Sequence, residues 1–583
     1  PYRRLQGFEF GSKRKVHSGN LSEFSAVLPT RRLCQHGGVN TFHRPTSLER
    51  LRNESFDVVV IGAGMTGAGV AVDAAHRGLR VALIDSGDIA SGTSSKSSKM
   101  VHGGLRYLQQ REFRLVYENL HERQRLLKNA PHLVRILPFL IPLFGKNGAV
   151  AKALVKGYSS ALRLYDMTGG WRIGKKYRKV SRQQALRHLP TLNVERLVAG
   201  FLYFDARGDD ARVALTLART AADPFGAVVA NYVKAIAFTH NEASRVDGVV
   251  VRDEISHDEW RIQTKCVVNA TGVWVNEIVE LAAQTSSSTI TPAKGVHISV
   301  PADRLPADVA AVLAVPGDRR SIFVVPFEEA PYTFVGTTDT PFDGDVDSPF
   351  CDAADVAYLL AAVNASTSSH LTTDDITGVW AGLRPLIAPK DGKKIRERTA
   401  DLSRRHQVNV TRDGMIHVTG GKWTTYRAMA EDAMKEVHKK VGRMKPTRTT
   451  NLRLFGAPSR SDNVKNLTGL ELHLYQRFGT ERHAILSMID KDPSLAAEAI
   501  PGLPYTKAEL LYSAEHEMAT SLTDILSRRC RAHIQDARAT LTAAPEIAQL
   551  IAPAMHWTPD DVSREVSEFQ SLIAREFAHA GLR

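Results

Sequence analysis

Residues 93–110, TSSKSSKMVHGGLRYLQQ, crowd Thr93, Ser94, Ser95, Lys96, Ser97, Ser98 and Lys99 together and follow them with His102, Gly103, Gly104, Arg106 and Tyr107. Small hydroxyls and exposed backbone amides hydrogen-bond phosphate oxygens and ring edges, and a guanidinium grips an anion in bidentate fashion. Other segments carry chemistry-bearing side chains of the same kind. In KGVHISVP, His297 alternates with Val296 and Ile298 on a strand pattern, and an imidazole moves protons near neutral pH. In WAGLRPLIAP, Arg384 stands between Gly382 and Pro385 among apolar neighbours, a confined cation that needs an anion. In VTGGKWTTYRAMAEDAM, an apolar run leads into Gly420, Gly421 and Lys422 and then a helix from about Thr424. Backbone amides, a helix N-terminus and an ammonium in that order can stabilise negative charge. Taken singly, each has a plain structural alternative: a solvated serine loop, a hydrogen-bonded strand histidine, a salt-bridged arginine, a surface lysine.

The elements that must position these groups begin with SFDVVVIGAGMTGAGVAVDAAHRGLRVALIDSGD. Phe56 to Ile61 is an apolar, β-branched strand pattern, Gly62 and Gly64 open a tight turn, and a small-residue helix follows from Gly67 to His76. Gly62 permits the turn, Gly64 lets backbone amides approach a pyrophosphate, and Gly67 allows close helix–strand packing. Asp85 closes a second strand where a carboxylate accepts ribose hydroxyls. The unit therefore predicts a dinucleotide site without separating FAD from NAD. Farther on, CVVNATGVWV reads as a buried strand from Cys266 to Asn269 that closes on Ala270, Thr271 and Gly272, bringing backbone close to a cofactor.

The chain has 583 residues, 43% hydrophobic and 24% charged, which excludes a disordered protein and predicts two or three domains. Its formal charge of +14 favours anionic partners. Cys34, Cys266, Cys351 and Cys530 lie far apart, so neither a zinc site nor a disulfide framework is expected. Residues 1–50 are basic and lack apolar periodicity, and read either as a transit-type leader or as a poorly ordered arm. No apolar run reaches the ~18 residues that argue for a spanning helix. ILPFLIPLF, residues 136–144, precedes a helix pattern carrying Lys146, Lys152, Lys156 and Arg163. That combination reads as an apolar wedge beside a cationic helix for an anionic bilayer surface, or as an inter-domain helix with a solvated basic face. From about Thr450 the composition turns helical, with Asp524 and Arg528 one turn apart and Pro559, Asp560 and Asp561 starting a helix. Its basic residues suit dimer or lipid contacts. No EF-hand loop, zinc-finger spacing, RNA-recognition motif or helix-turn-helix pattern stands out, so neither a metal nor nucleic acid is expected.

In order, IGAGMTGAGVAVDAAHRGL, SGTSSKSSKMVHGGLRYL, DDARVAL, VVNATGVWV, KGVHISVP, VGTTDTPFDGD, AGLRPL and GGKWTTYRAMAEDA resemble the FAD-dependent, quinone-linked glycerol-3-phosphate dehydrogenases. The resemblance covers about residues 55–440 and, more weakly, the rest. Where the family commonly has Leu, this chain has Trp423. The resemblance implies an α/β fold of the glycine/D-amino-acid oxidase class. In it, a Rossmann-like FAD-binding domain interleaves with a mixed-sheet substrate domain over residues 51–445, the substrate part at about 270–380, and an α-helical C-terminal domain occupies 446–583. It implies FAD held by Gly62, Gly64, Gly67, Asp85, Thr93, Ser94, Ser95, Ser98, Lys99, Gly272, Gly420, Gly421, Lys422 and Thr424. Glycerol 3-phosphate would be bound by Arg106, Tyr107, Arg384 and Arg404, with His297 and Lys422 handling the proton and developing charge. It also implies electrons passed to quinone, peripheral attachment to a mitochondrial inner or bacterial cytoplasmic membrane, and a homodimer. The rivals are a glycerol-3-phosphate oxidase and a non-catalytic dinucleotide-binding scaffold.

Overall fold

The computed structural model describes residues 42–583 apart from 106, 108–111, 146–149, 283–289, 319, 388–404 and 460. Arg106, Lys146 and Arg404 lie outside the described residues, as does segment 1–41. A strand buried on both faces must be apolar throughout rather than alternating, and Val58–Ile61 and Val81–Ile84 are buried at every position. They pair in parallel within a sheet ordered His406–Val410, Ile416–Gly420, Val267–Asn269, Val58–Ile61, Val81–Ile84, Val228–Ala230. Only the edge strand His406–Val410 runs antiparallel to its neighbour. Val58, Val60 and Leu83 face the helices Met65–His76, Asp210–Ala222 and Tyr426–Val441, whereas Val59, Ile61 and Ile84 face a small sheet containing Val249, Val251 and Ile262. This is the Rossmann-like layer, and its helices pack tightly because Gly69 leaves room for the ring of Tyr426.

The second large sheet is mixed. Its main path runs Thr340–Pro341, Ile290–Pro301, Tyr332–Gly336, Ser321–Pro326, Ala310–Ala314, Val134–Phe144, Leu197–Gly208, Met100–Val101, and Gly378–Ile387 pairs with Ile290–Pro301. Ala310–Ala314 runs parallel to Val134–Phe144 while the other neighbours are antiparallel. The sheet thus draws on residues 100–208 as well as 290–387, a wider span than the expected 270–380. ILPFLIPLF lies inside the strand Val134–Phe144, paired on both sides and mostly buried, with Ile136 the exposed exception at 41%. An internal strand and a membrane wedge share one composition, so the wedge expectation is corrected here.

The basic N-terminal segment is shorter than 1–50: Phe42 is buried, and the helix Arg44–Asn53 is tied down by Arg44 donating to Asp253 Oδ1 at 2.6 Å. At the other end, helices Gly469–Phe478, Arg482–Lys491, Lys507–His516, Ala537–Met555 and Pro559–Ala580 form the expected helical unit. Pro559 takes the first turn behind the Thr558 cap, where its missing N–H costs nothing. This unit is no appendage. Ile534, Ile547, Phe569 and Ile573 share one core with Val379 and Ile298 of the mixed sheet. Its cations also turn inward: Arg528 and Arg529 bind Asp88 of the Rossmann-like layer, and Arg531 binds Asp210. Those arginines are therefore not the dimer- or lipid-facing groups expected of the segment.

Candidate active site

A cavity of about 630 Å³ runs from the glycine turn to the edge of the mixed sheet. At one end lie Gly62, Gly64 and Asp85. Gly62 has φ +103°, a left-handed conformation natural only to glycine, and a Cβ at Gly67 would overlap the Gly62 carbonyl oxygen. Gly67 therefore serves the packing of the turn and does not line the cavity. Asp85 accepts from Ala63 N at 2.6 Å and Gly87 N at 2.9 Å. Burial pushes its carboxyl up to about 6 despite those amides. This cradle fits a dinucleotide: amides at the N-terminus of Met65–His76 for pyrophosphate, Asp85 for ribose hydroxyls.

The hydroxyl loop wraps the middle. Thr93, Ser94 and Ser98 line the cavity. Thr93 Oγ1 donates to Leu383 O at 2.6 Å, Ser94 Oγ accepts from Met65 N at 2.9 Å, and Ser98 Oγ meets His297 Nε2 at 2.7 Å. Ser95 and Lys99 behave differently from expectation. Ser95 Oγ bonds Gly92 O, and Lys99 adopts φ 55° and gives its ammonium to Asp210 Oδ1 at 3.3 Å, so neither Ser95 nor Lys99 lines the cavity. Lys96, in the same run and without an assigned role from sequence, lines the cavity instead. Burial pushes its ammonium below the usual lysine range.

The same cavity is lined by His297, Arg384 and Lys422, and by Gly272, Gly420, Gly421 and Thr424. His297 is buried and stacks on Trp380 at 4.7 Å, the residue directly opposite it on the neighbouring strand. Burial, then Lys99 and Arg384, push its pKa well below 6.5, so it is neutral at physiological pH. Arg384 is anchored from within the fold: it donates to Lys294 O and Thr338 O at 3.1 Å, to Thr337 Oγ1 at 3.1 Å and to Asp339 Oδ1 at 3.3 Å. The anion its sequence context demanded is partly supplied by Asp339. Lys422 follows two glycines in left-handed conformation, φ 69° and 81°, and its ammonium sits 4.0 Å over the ring of Tyr107. Tyr107 is buried beneath Lys422 and does not itself line the cavity.

Other contributors were invisible in sequence. Gly103 N donates to Tyr165 Oη at 2.9 Å and Asp205 Oδ1 at 3.2 Å, and Gly103 O accepts from Asn119 Nδ2 at 3.1 Å, so a buried polar network fixes the turn carrying His102 and Tyr107. Thr337 and Thr338 stood in the quoted VGTTDTPFDGD segment, but only the paired strands bring them to Arg384.

Residues 57–432 match the family model described as FAD dependent oxidoreductase, and residues 447–562 match that of the C-terminal domain of alpha-glycerophosphate oxidase. The fold and the cavity are those of a flavin-dependent oxidoreductase. A glycerol-3-phosphate dehydrogenase 2 from Mycobacterium tuberculosis is 41% identical over 546 residues, spanning 91% of this chain and 90% of that protein. The human mitochondrial glycerol-3-phosphate dehydrogenase is 33% identical over 568 residues, spanning 92% and 75%. Among solved structures, the glycerol-3-phosphate dehydrogenase from Bacillus halodurans complexed with FAD superposes with a TM-score of 0.73 at 28% identity, covering 92% of this chain and 97% of that one. The chain belongs to the FAD-dependent glycerol-3-phosphate dehydrogenase family.

Proposed function

We propose that the protein oxidises sn-glycerol 3-phosphate to dihydroxyacetone phosphate and delivers the electrons to a membrane quinone. The observation that carries this reading is that His297, Arg384 and Lys422 line the same cavity as Gly62, Gly64 and Asp85. Oxidation removes a hydride from C2 and a proton from its hydroxyl; FAD, when bound, supplies the two-electron acceptor. The chain's residues do the rest. Arg384, held rigid by Asp339 and Thr337, orients the phosphate, with Arg106 and Arg404 assigned to the same task. His297, neutral and bonded to Ser98, takes the hydroxyl proton. Lys422 and the Gly420–Gly421 turn stabilise negative charge that develops beside them.

The test is anaerobic addition of glycerol 3-phosphate to the holoprotein while flavin absorbance is followed. Bleaching is expected, with Arg384→Ala raising the half-saturating concentration at least ten-fold, about 1.4 kcal/mol of lost phosphate binding. An unbleached flavin would leave only the scaffold reading. The match of residues 447–562 to an oxidase domain favours a second reading, in which oxygen is the acceptor. Peroxide formed in air as fast as quinone is reduced would establish it.

A peripheral membrane site is supported by the helices Phe113–Asn129 and Lys152–Thr168, which pack alongside each other and expose Phe113, Tyr117, Leu154 and Met167 near Lys152, Lys156 and Arg163. Among the described residues no helix is long and apolar enough to cross a membrane. Co-sedimentation with anionic vesicles that is lost in Leu154→Asp/Met167→Asp supports this face; binding unchanged by that pair refutes it.

A further inference from the structure

Beneath the hydroxyl loop, Asp210 is fully buried at the start of the helix Asp210–Ala222 and is among the residues that line the cavity. Its carboxylate accepts from Ser97 N at 2.9 Å, Ala211 N at 3.0 Å, Lys99 Nζ at 3.3 Å and Arg531 Nη2 at 3.3 Å. Arg531 comes from the C-terminal helical unit, is 2% exposed, and also donates through Nη2 to the carbonyl of Ser95. Its backbone and its other terminal nitrogen are fixed by Tyr505 Oη at 3.2 Å and Ser527 O at 2.9 Å. Lys99, from the loop itself, adds bonds to Ser95 O at 3.3 Å and Ser97 O at 3.4 Å, and its ammonium lies 5.0 Å over Trp380. The carbonyls of the loop are thus held from behind by cations, and the amide of Ser97 by a carboxylate. The next residue, Ser98, is the one whose hydroxyl meets His297.

We propose that Arg531 is a positioning residue for the reaction: acting through Asp210 and the Ser95 carbonyl, it holds the hydroxyl loop so that Ser98 meets His297 on the cavity side. The inference rests on the dehydrogenase reading above. A loop of small polar residues has little apolar burial to fix it, and serines compete readily for alternative local hydrogen bonds. Its position therefore depends on partners supplied from elsewhere. Unpairing Arg531 leaves Lys99, a flexible ammonium carried by the loop itself, as the cation that Asp210 and Ser95 O keep, so the loop loses the fixed cation supplied by the helical unit and can shift about Ser97. A shift of order 1 Å at a reacting group costs about 100-fold in rate. The helical unit accordingly contributes to turnover without lining the flavin cavity.

The test compares wild type, Arg531→Met, Arg531→Lys and Arg212→Met as FAD-saturated holoproteins, with turnover expressed per bound flavin. Arg212 pairs with Glu517 across the same contact between units and touches no loop residue, so Arg212→Met reports generic loosening. Arg531→Met is expected to lower kcat ten- to 100-fold with KM changed less than three-fold and a shifted visible flavin spectrum. Arg531→Lys is expected to restore part of the rate, and Arg212→Met to lower thermal stability while keeping kcat within two-fold. If Arg531→Met keeps kcat within two-fold and loses only stability, the residue is merely structural and the proposal is overturned. Should Arg531→Met fail to fold, Arg531→Gln, which keeps a polar side chain outside the cavity lining, decides by the same split of kcat against KM. Wild-type flavin that glycerol 3-phosphate does not reduce would overturn the functional reading itself, a result separable from any variant's behaviour.

Discussion

Asp88→Asn tests how strongly the helical unit is locked to the flavin layer. Asp88 is fully buried and accepts from Arg528 Nε at 2.6 Å, Arg529 Nη1 at 2.6 Å, Arg529 Nη2 at 2.8 Å and Asn231 Nδ2 at 3.1 Å. Arg529 is itself only 1% exposed, so solvent screens little of this pairing. An asparagine keeps the shape but removes the charge and aims an amide at a guanidinium. Leaving a buried cation without its carboxylate costs about 3–5 kcal/mol; Arg528 keeps its ion pair with Asp524, whereas Arg529 keeps the bond from Nε to the Glu517 carbonyl at 3.0 Å. We expect the loss near the lower figure, about 3 kcal/mol. For a chain of this length that is a fall of only about 2–3 °C in Tm at typical unfolding entropies, so denaturant midpoints on the FAD-saturated protein are the better assay. Although burial opposes ionisation, Arg529 and Arg528 hold the Asp88 carboxyl below its usual 3.8. With the folded pKa below the unfolded one, the stabilisation is complete above about pH 4 and is lost as pH falls further. The variant should therefore lose stability at pH 7 and converge with wild type in acid. A double-mutant cycle with Arg529→Met should return a coupling of at least about 1 kcal/mol. A destabilisation under about 1 kcal/mol at pH 7, or one unchanged in acid, refutes the reasoning.

Three other outcomes follow from the site. With Asp85 pushed up to about 6, its carboxylate is charged above that pH and neutral below it, so FAD affinity should weaken roughly five-fold, about 1 kcal/mol, between pH 7 and 5. Asp85→Asn should be weak at both pH values, and a wild-type affinity independent of pH contradicts the assignment. Gly67→Ala places a methyl against the Gly62 carbonyl, 3.0 Å from its carbon, so the helix N-terminus must retreat at a cost of about 1–3 kcal/mol, and the purified protein should lose most of its flavin. Full flavin content in that variant sinks the packing argument. His297→Gln should keep FAD but lower kcat about 100-fold or more. Because burial, Lys99 and Arg384 keep the imidazole neutral, the wild-type rate should show no limb near pH 6.5 that this substitution abolishes.

What the sequence revealed was whatever depends on near neighbours. The glycine turn, the strands around it and Asp85 lie within one unit of chain, and each residue type answers a local demand for a left-handed turn, close packing or a ribose acceptor. The convergence of His297, Arg384 and Lys422 was read through a resemblance, and the cavity brings those three together. The choice between Lys96 and Lys99 was not legible. Both stand in one run of serines, and the difference is made by the 3-10 turn Thr93–Ser95, the left-handed backbone at Lys99 and a carboxylate 111 residues away. Nor was the fate of ILPFLIPLF, because an apolar run buried between two strands and one buried in lipid satisfy the same composition.

Charge shows why the helical unit was misread. Sequence reports charge as a sum, +14 for the whole chain, whereas the fold uses it pairwise across long separations. Arg529 meets Asp88 over 441 residues and Arg531 meets Asp210 over 321, so in a local window SRRCR looks like a free basic patch. Such buried pairs add little stability over well-packed apolar residues, yet each is costly to break once formed. A guanidinium that can be satisfied only by one carboxylate in one orientation discriminates against slipped packings that an apolar contact of equal area tolerates. The pairs lie behind the loops at Asp88 and Ser95, beside the cofactor cradle, where an error of an ångström matters most to the chemistry. Replacing Asp88 and Arg529 together by Leu should therefore leave the unfolding free energy within about 1 kcal/mol of wild type while lowering FAD affinity. Affinity unchanged in that double variant would show that the buried charges do no more than hold the units together.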